Sequence, residues 1–283
     1  MTFGASEPYE PTDVLITVMT YPHPSKKYQE LVCTAGITRD GEWVRLYPVD
    51  YRYRPPAQRF RKYQWINIPL RPHGAGNDKR PESREPDPST IRSLGPPISP
   101  ANGWAERSAI IDSMSHHTVR QLRARYESDR TSLGIVRPTR VLDVEIEPAD
   151  PEWKPEWQTL FQQLRLIGPE QLPLRKIPYT FRYVFECEDS ERPHRSMIED
   201  WELGALFLKE SIRLGSDEAA AESVRDKFLN ELCREDKDTR FFMGTVLPYN
   251  TWLVLGVFWP PKIDAPKVEQ LQLLEQQSEY SWQ

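Results

Sequence analysis

Six carboxylates crowd one part of this 283-residue sequence: Glu186, Glu188, Asp189, Glu199, Asp200 and Glu202. Paired carboxylates can hold Mg²⁺ and support phosphodiester chemistry. Glu199 and Glu202 stand three apart, so on a helix they share a face while Asp200 points elsewhere. The same acids also suit the first turn of a helix, where the dipole favours negative charge, and this plainer reading is preferred. Asp143 followed by Glu152-Trp153-Lys154 has the residue types of a restriction-nuclease core. That core needs its Glu-x-Lys on a strand beside the Asp, whereas here it lies between Pro151 and Pro155. His116-His117 could bind a metal, but adjacent residues diverge on a helix and no Cys, His or carboxylate spacing completes a set. The sequence has no Gly-x-Ser-x-Gly, Walker loop or dinucleotide fingerprint, and Cys33 and the five histidines show no activating neighbourhood. It therefore offers no catalytic residue, metal set or cofactor.

A second kind of chemistry is more visible. From Arg45 to Arg80 there are nine Lys and Arg against two Asp, in a chain whose net charge is −5. Arg52, Arg54, Arg59, Arg61 and Lys62 are interleaved with Tyr51, Tyr53, Phe60, Tyr63 and Trp65, and Arg80 closes the run. Cations attract phosphates and aromatic rings offer stacking surface. Just before it, Trp43, Arg45 and Tyr47 alternate with Val44, Leu46 and Pro48. Period two lets one face be core and sends the aromatic-cation-aromatic face outward, where it could stack bases and touch phosphate. The competing readings are a solvated loop and a half-buried strand whose Arg pairs locally. The candidate partner is DNA or RNA, with an acidic protein partner as the alternative.

The same stretch carries a resemblance. Cys33-x-Ala35-Gly36, a turn and Trp43-x-Arg45 resemble the opening of prokaryotic proteins described as dual-OB-containing. The runs KYQWI (Lys62 to Ile66), RPES (Arg80 to Ser83), EDWE (Glu199 to Glu202) and GVFWPPK (Gly256 to Lys262) resemble, in that order, a group of uncharacterised bacterial proteins. The resemblance covers most of the chain. It implies small β-barrels that bind nucleic acid, and it implies no catalytic residues.

The elements that must position these residues are mostly short. Hydrophobic residues make up 38% and charged residues 28%, polar for a globular chain yet above the disordered range. With 27 Pro against 13 Gly, rigid connections outnumber flexible ones and long helices before Met197 are disfavoured. No apolar run approaches the ~20 residues of a membrane span. The N-terminus lacks a signal pattern, and Cys33, Cys187 and Cys233 form no CxxC pair, so a cytoplasmic protein with reduced thiols is expected. The histone-like kind of general nucleic-acid coat is excluded by the negative net charge.

Strands are expected at Val14–Thr20, Leu31–Gly36, Trp43–Pro48 and Gln64–Leu70, with a hairpin turn at Arg39-Asp40-Gly41-Glu42. Gly74–Pro100 reads as an extended loop or linker. Ser108–Asp129 holds two short helices. Thr139–Glu147 and Thr180–Glu186 open a second β-unit. Trp153 to Leu164 has helical spacing, and Val268–Gln283 is an acidic tail. Helices follow at Ser196–Leu214 and Ala219–Cys233, then strands at Arg240–Val246 and Thr251–Phe258. The expected fold is α+β: two small β-rich, OB-like barrel units, residues 1–100 and 139–283, joined by a helical connection at 101–138, with the helical pair packed on the second unit.

Overall fold

The computed structural model describes residues 8–25, 29–49, 51–76, 78–158, 174–246 and 251–262. The fold is mixed α+β and strand-rich. Its first sheet centres on β1 (Glu10–Met19), whose VLITVM run is buried on both faces. β1 pairs antiparallel with β4 (Thr34–Thr38) on one side and β6 (Trp65–Leu70) on the other. β5 (Trp43–Leu46) joins β4 through the expected hairpin, where Gly41 takes a φ of 80°. A two-stranded ribbon, β2 (His23–Ser25) and β3 (Gln29–Leu31), precedes them. Gly36 of β4 faces β1 so closely that a Cβ would meet the Leu15 carbonyl oxygen at 2.3 Å. Only glycine fits there, which explains one residue of the Cys33-x-Ala35-Gly36 motif.

The stretch expected as an extended loop folds back instead. β7 (Ser83–Arg84) pairs parallel with β5, and β8 (Arg92–Ser93) pairs antiparallel with β6. The first sheet thus runs β7-β5-β4-β1-β6-β8. Two residues per strand leave no periodicity to read, yet they cover both edges.

The segment at 101–138 is likewise more than a helical connection. It contains α1 (Ala105–Asp112) and α2 (Val119–Asp129). It also supplies β9 (His116–His117) and β10 (Leu133–Val136) to a second sheet. That sheet runs β15-β14-β10-β9, with β14 at Arg240–Val246 and β15 at Thr251–Phe258. A third sheet holds β11 (Arg140–Pro148), β12 (Tyr179–Glu186) and β13 (His194–Met197). The expected barrels are open sheets: among the described residues, no pairing joins the two edges of any of them. Most of the Trp153–Leu164 helix and the Val268–Gln283 tail lie outside the described residues; residues 155–158 are helical.

Alternation along the strands builds three cores in sequence. Val14 and Ile16 of β1 enter one core with Val44, Leu46 and Phe60. Leu15 enters a second, shared with Ile135, Phe242, Leu253 and Leu255 of the second sheet. The opposite face of that sheet, Phe241, Met243 and Val254, enters the third with Phe181, Tyr183 and Phe185 of β12. The N-terminal and C-terminal halves of the chain therefore share the middle core.

α3 (Trp201–Leu214) and α4 (Asp217–Asp226) close the third core with Leu203, Phe207, Ala220 and Val224. Fully burying a side chain such as Phe207 contributes roughly 1.5–3 kcal/mol. α3 starts five residues later than its expected beginning at Ser196, because Ser196 and Met197 pair in β13. Asp200 is its N-cap, accepting from the Glu202 N–H at 2.9 Å. Gly215, at a φ of 67°, ends it.

Candidate nucleic-acid interface

The structure divides the nine residues singled out for nucleic-acid contact into buried ties and surface groups. Arg45 is buried, 3% exposed, and does not face outward. Its Nη2 donates to the Ser132 carbonyl oxygen at 3.0 Å and to Ser132 Oγ at 3.1 Å. Glu82 completes this knot by accepting from the Ser132 and Leu133 N–H groups. Burial, with Arg80 nearby, lowers the Arg45 pKa to about 10. Trp43 packs edge-on against Phe242 at 6.0 Å between ring centroids, and Tyr47 is half-buried. The alternation holds, but the face expected to meet solvent is covered by the second sheet.

Lys62 is also internal, at 8% exposure. Its Nζ donates to both Asp200 oxygens at 3.2 Å and to Glu202 Oε2 at 2.8 Å. Burial alone would lower the Lys62 pKa, and the two carboxylates outweigh it and hold it above its ordinary value. Glu202, whose side chain is 57% exposed, is held low by Lys62. Asp200 is pushed up to about 6 by burial against the pull of Lys62. Two carboxylates sharing one ammonium, with the wetter one keeping its charge more firmly, accounts for that split.

Arg52 is held by Glu30, donating to both carboxylate oxygens at 2.9 Å. Arg80 is half-buried, clamps Asp78 through Nε at 2.9 and 3.0 Å and donates to the Thr245 carbonyl oxygen at 2.7 Å. Four of the expected phosphate cations, Arg45, Arg52, Lys62 and Arg80, are thus occupied inside the protein. Arg59 and Arg61 are exposed and Arg54 half-exposed. Arg59 braces its own loop, donating to the Arg54 and Arg52 carbonyl oxygens at 2.9 Å.

Asp200 and Glu202 share Lys62, and the other acidic residues go to separate contacts. Glu199 binds His23 at 2.9 Å, Asp189 accepts from Thr118 Oγ1 at 2.7 Å, and Glu186 pairs with Arg140. Among the described residues no cluster of His, Cys, Asp and Glu has the arrangement of a metal site. The Glu152-x-Lys154 pair lies off any strand, while Asp143 pairs with Arg225.

Sequence reasoning missed a cavity of about 920 Å³ where the two halves of the chain meet. Tyr51, Phe60, Tyr63 and Trp104 line it from the first half, and Trp201, Phe228 and Trp259 from the second. Trp104 and Trp259 meet at 4.9 Å, and Tyr51 and Trp201 at 5.4 Å. The Arg107 guanidinium lies 4.0 Å over Tyr63 and 4.9 Å over Trp104. Arg61, Lys62, Arg107 and Lys227 are its cations and Glu202 its carboxylate, with Lys62 already held by Asp200 and Glu202. The spacing of Trp104, Trp201 and Trp259 in the sequence gives no sign of this convergence, whereas Tyr51 and the Phe60–Tyr63 stretch lie within the basic-aromatic run.

A second cleft, of about 580 Å³, lies beside α2 and the β12–β13 turn. Arg120, Arg123, Arg192 and Arg195 line it with Asp189 and Glu191. Burial, reinforced by Arg123, lowers the pKa of His194 there.

Residues 115–278 match the family model described as Domain of unknown function (DUF8757). The chain belongs to that family. Residues 10–113 match a second such model, Domain of unknown function (DUF8758). The boundary between the two falls at the end of α1, so the aromatic cavity draws on both matched segments. No curated protein matches the chain. Among solved structures, it is similar to a murine DNA-binding protein bound with double-stranded DNA, at 10% identity and a TM-score of 0.30, over 90% of this chain and 100% of that one. It is also similar to a Replication Protein A heterotrimer bound to single-stranded DNA, at 11% identity and a TM-score of 0.25, over 95% of this chain and 69% of that one. Likeness this distant decides nothing about fold or ligand here. No helix among the described residues is long and apolar enough to cross a membrane.

Proposed function

We propose that this chain is a nucleic-acid-binding module, with its interface along the surface arginines Arg54, Arg59 and Arg61 and the aromatic cavity that Arg61 lines. One observation carries the reading: Arg61 is exposed at the end of the basic segment and also lines a cavity with seven aromatic side chains. A backbone-tracking cation beside stacking surface is the combination that single-stranded nucleic acid engages. Arg45, Lys62 and Arg80 have structural parts in this reading, and Arg52 supports the loop from beneath. The dispersed carboxylates give the phosphodiesterase reading no comparable support. The proposed cellular setting is an accessory subunit, with a protein partner, of a cytoplasmic nucleic-acid-handling or mobile-element defence system.

The test is a salt titration of oligonucleotide binding by the wild type and an R54A/R59A/R61A variant. Each lost phosphate contact flattens the log K against log salt slope by about 0.7 for a single strand and 0.9 for duplex. A folded triple variant with unchanged affinity and slope would remove this surface from the interface.

A further inference from the structure

We propose that the aromatic cavity is a site for one nucleobase carrying a phosphate, its ring stacked among Trp104, Trp201 and Trp259, its amino edge on Glu202 and its phosphate on Arg61 and Lys227. The inference rests on the nucleic-acid reading above and gives it a substrate class. The volume, about 920 Å³, lies within the roughly 300–1,000 Å³ of small-molecule sites. Seven of its lining side chains are aromatic, and their ring faces and edges suit a flat aromatic guest. Its polar groups are few. Arg61 is exposed, and Lys227 is half-exposed and paired with Glu231, a contact that a phosphate would have to share or displace, while Arg107 is set back over Tyr63.

Glu202 supplies direction. Its Oε2 is occupied by Lys62 at 2.8 Å, while its Oε1 accepts no hydrogen bond among the described residues. The side chain is half-exposed and ionised at neutral pH, so it is a pure acceptor. Guanine, adenine and cytosine offer amino N–H donors to such a group. Uracil and thymine offer only an imino N–H beside two carbonyl oxygens that a carboxylate repels. The cavity should therefore favour amino-bearing bases.

The protein can meet this chemistry as a free nucleotide or as an unpaired residue of a strand, and one set of titrations separates them. GMP, UMP and guanosine are titrated into the full chain, followed by tryptophan fluorescence and calorimetry. Three tryptophans in the wall make saturable quenching by GMP the expected result. UMP should bind at least about tenfold more weakly, since a hydrogen bond to a charged acceptor is lost, and guanosine should bind more weakly than GMP. Trp201→Leu should weaken GMP about tenfold or more by removing a stacking face, and Lys227→Gln should weaken GMP but not guanosine. A thermal melt of each variant confirms folding. If a short labelled oligonucleotide competes with GMP, the occupant is an unpaired base of a strand; if the two bind together, it is a free nucleotide. Absence of saturable quenching by any mononucleotide, with the labelled oligonucleotide still bound, would overturn the cavity site and leave the surface reading standing. UMP binding as tightly as GMP would overturn the part given to Glu202. Failure of the oligonucleotide itself to bind would instead bring down the reading on which this inference rests.

Discussion

Replacing Lys62 with Met should cost about 3–4 kcal/mol at pH 7. The side chain is 6% exposed, and its partner Asp200 is 1% exposed. Met keeps most of the aliphatic stem and removes only the ammonium. Asp200 would then be left with one hydrogen bond, from the Glu202 N–H. Breaking a buried pair by removing one partner costs about 3–5 kcal/mol. The Glu202 arm adds little, because an exposed pair is worth about 0–1 kcal/mol. With an m-value near 3 kcal/mol/M in urea, the unfolding midpoint should fall by about 1 M. Adding Asp200→Asn, which retains a good N-cap for α3, should restore at least about 2 kcal/mol of the loss by removing the stranded charge. The penalty in Lys62→Met should also shrink at pH 5, where Asp200 can take a proton. A loss below about 1 kcal/mol, or no recovery in the double variant, would refute the claim that Lys62 ties the two halves together rather than serving as a surface cation.

Gly36→Ala should destabilise by about 2 kcal/mol or more, since a Cβ there would meet backbone of β1 that cannot move aside; urea denaturation measures it, and a neutral result would contradict the close approach. Asp200 also sets a pH dependence. Its folded pKa of about 6 lies above its unfolded value near 3.9, so its contribution is fully present below the unfolded value and is lost as pH rises through 6. The wild type should therefore lose stability relative to Asp200→Asn, on the order of 3 kcal/mol, between pH 4 and 7. Glu202, held low, works the other way and only below its ordinary range, so comparison from pH 4.5 upward isolates Asp200. Parallel stability curves for the two proteins in that window would rule the shift out.

The sequence made the long elements legible and left their covering unread. The run VLITVM, the Asp40-Gly41 hairpin and the alternation in Thr139–Glu147 each carry a local signal, and each became a strand or turn near its expected place. β7, β8 and β9 have two residues each, and β10 four, all buried; such segments have no period to detect, so they were absorbed into loops and a helical connection. Arg45 shows the more general obstacle. Period two tells which residues share a face, but both faces of β5 are packed, so the charged face met Ser132 instead of water. Lys62 and Asp200 are 138 positions apart, and nothing local marks which lysine a distant carboxylate will capture. The cavity has the same origin, because Trp104, Trp201 and Trp259 converge only after three cores have assembled. The start of α3 is partly legible: Asp200 before a Glu at the second helical position is a cap signal, in keeping with the reading of these acids as a first helical turn.

In the proposed complex, nucleic acid runs over the surface arginines into the aromatic cavity. Photo-crosslinking tests this path most directly, with a single-stranded oligonucleotide bearing a photoreactive base and the attached residues identified by mass spectrometry. Crosslinks are expected at Tyr51, Trp104, Trp201 or Trp259, lost when Arg54, Arg59 and Arg61 are replaced by alanine. Crosslinks confined to the arginine cleft beside α2, around Arg120, Arg123 and Arg192, would contradict that path.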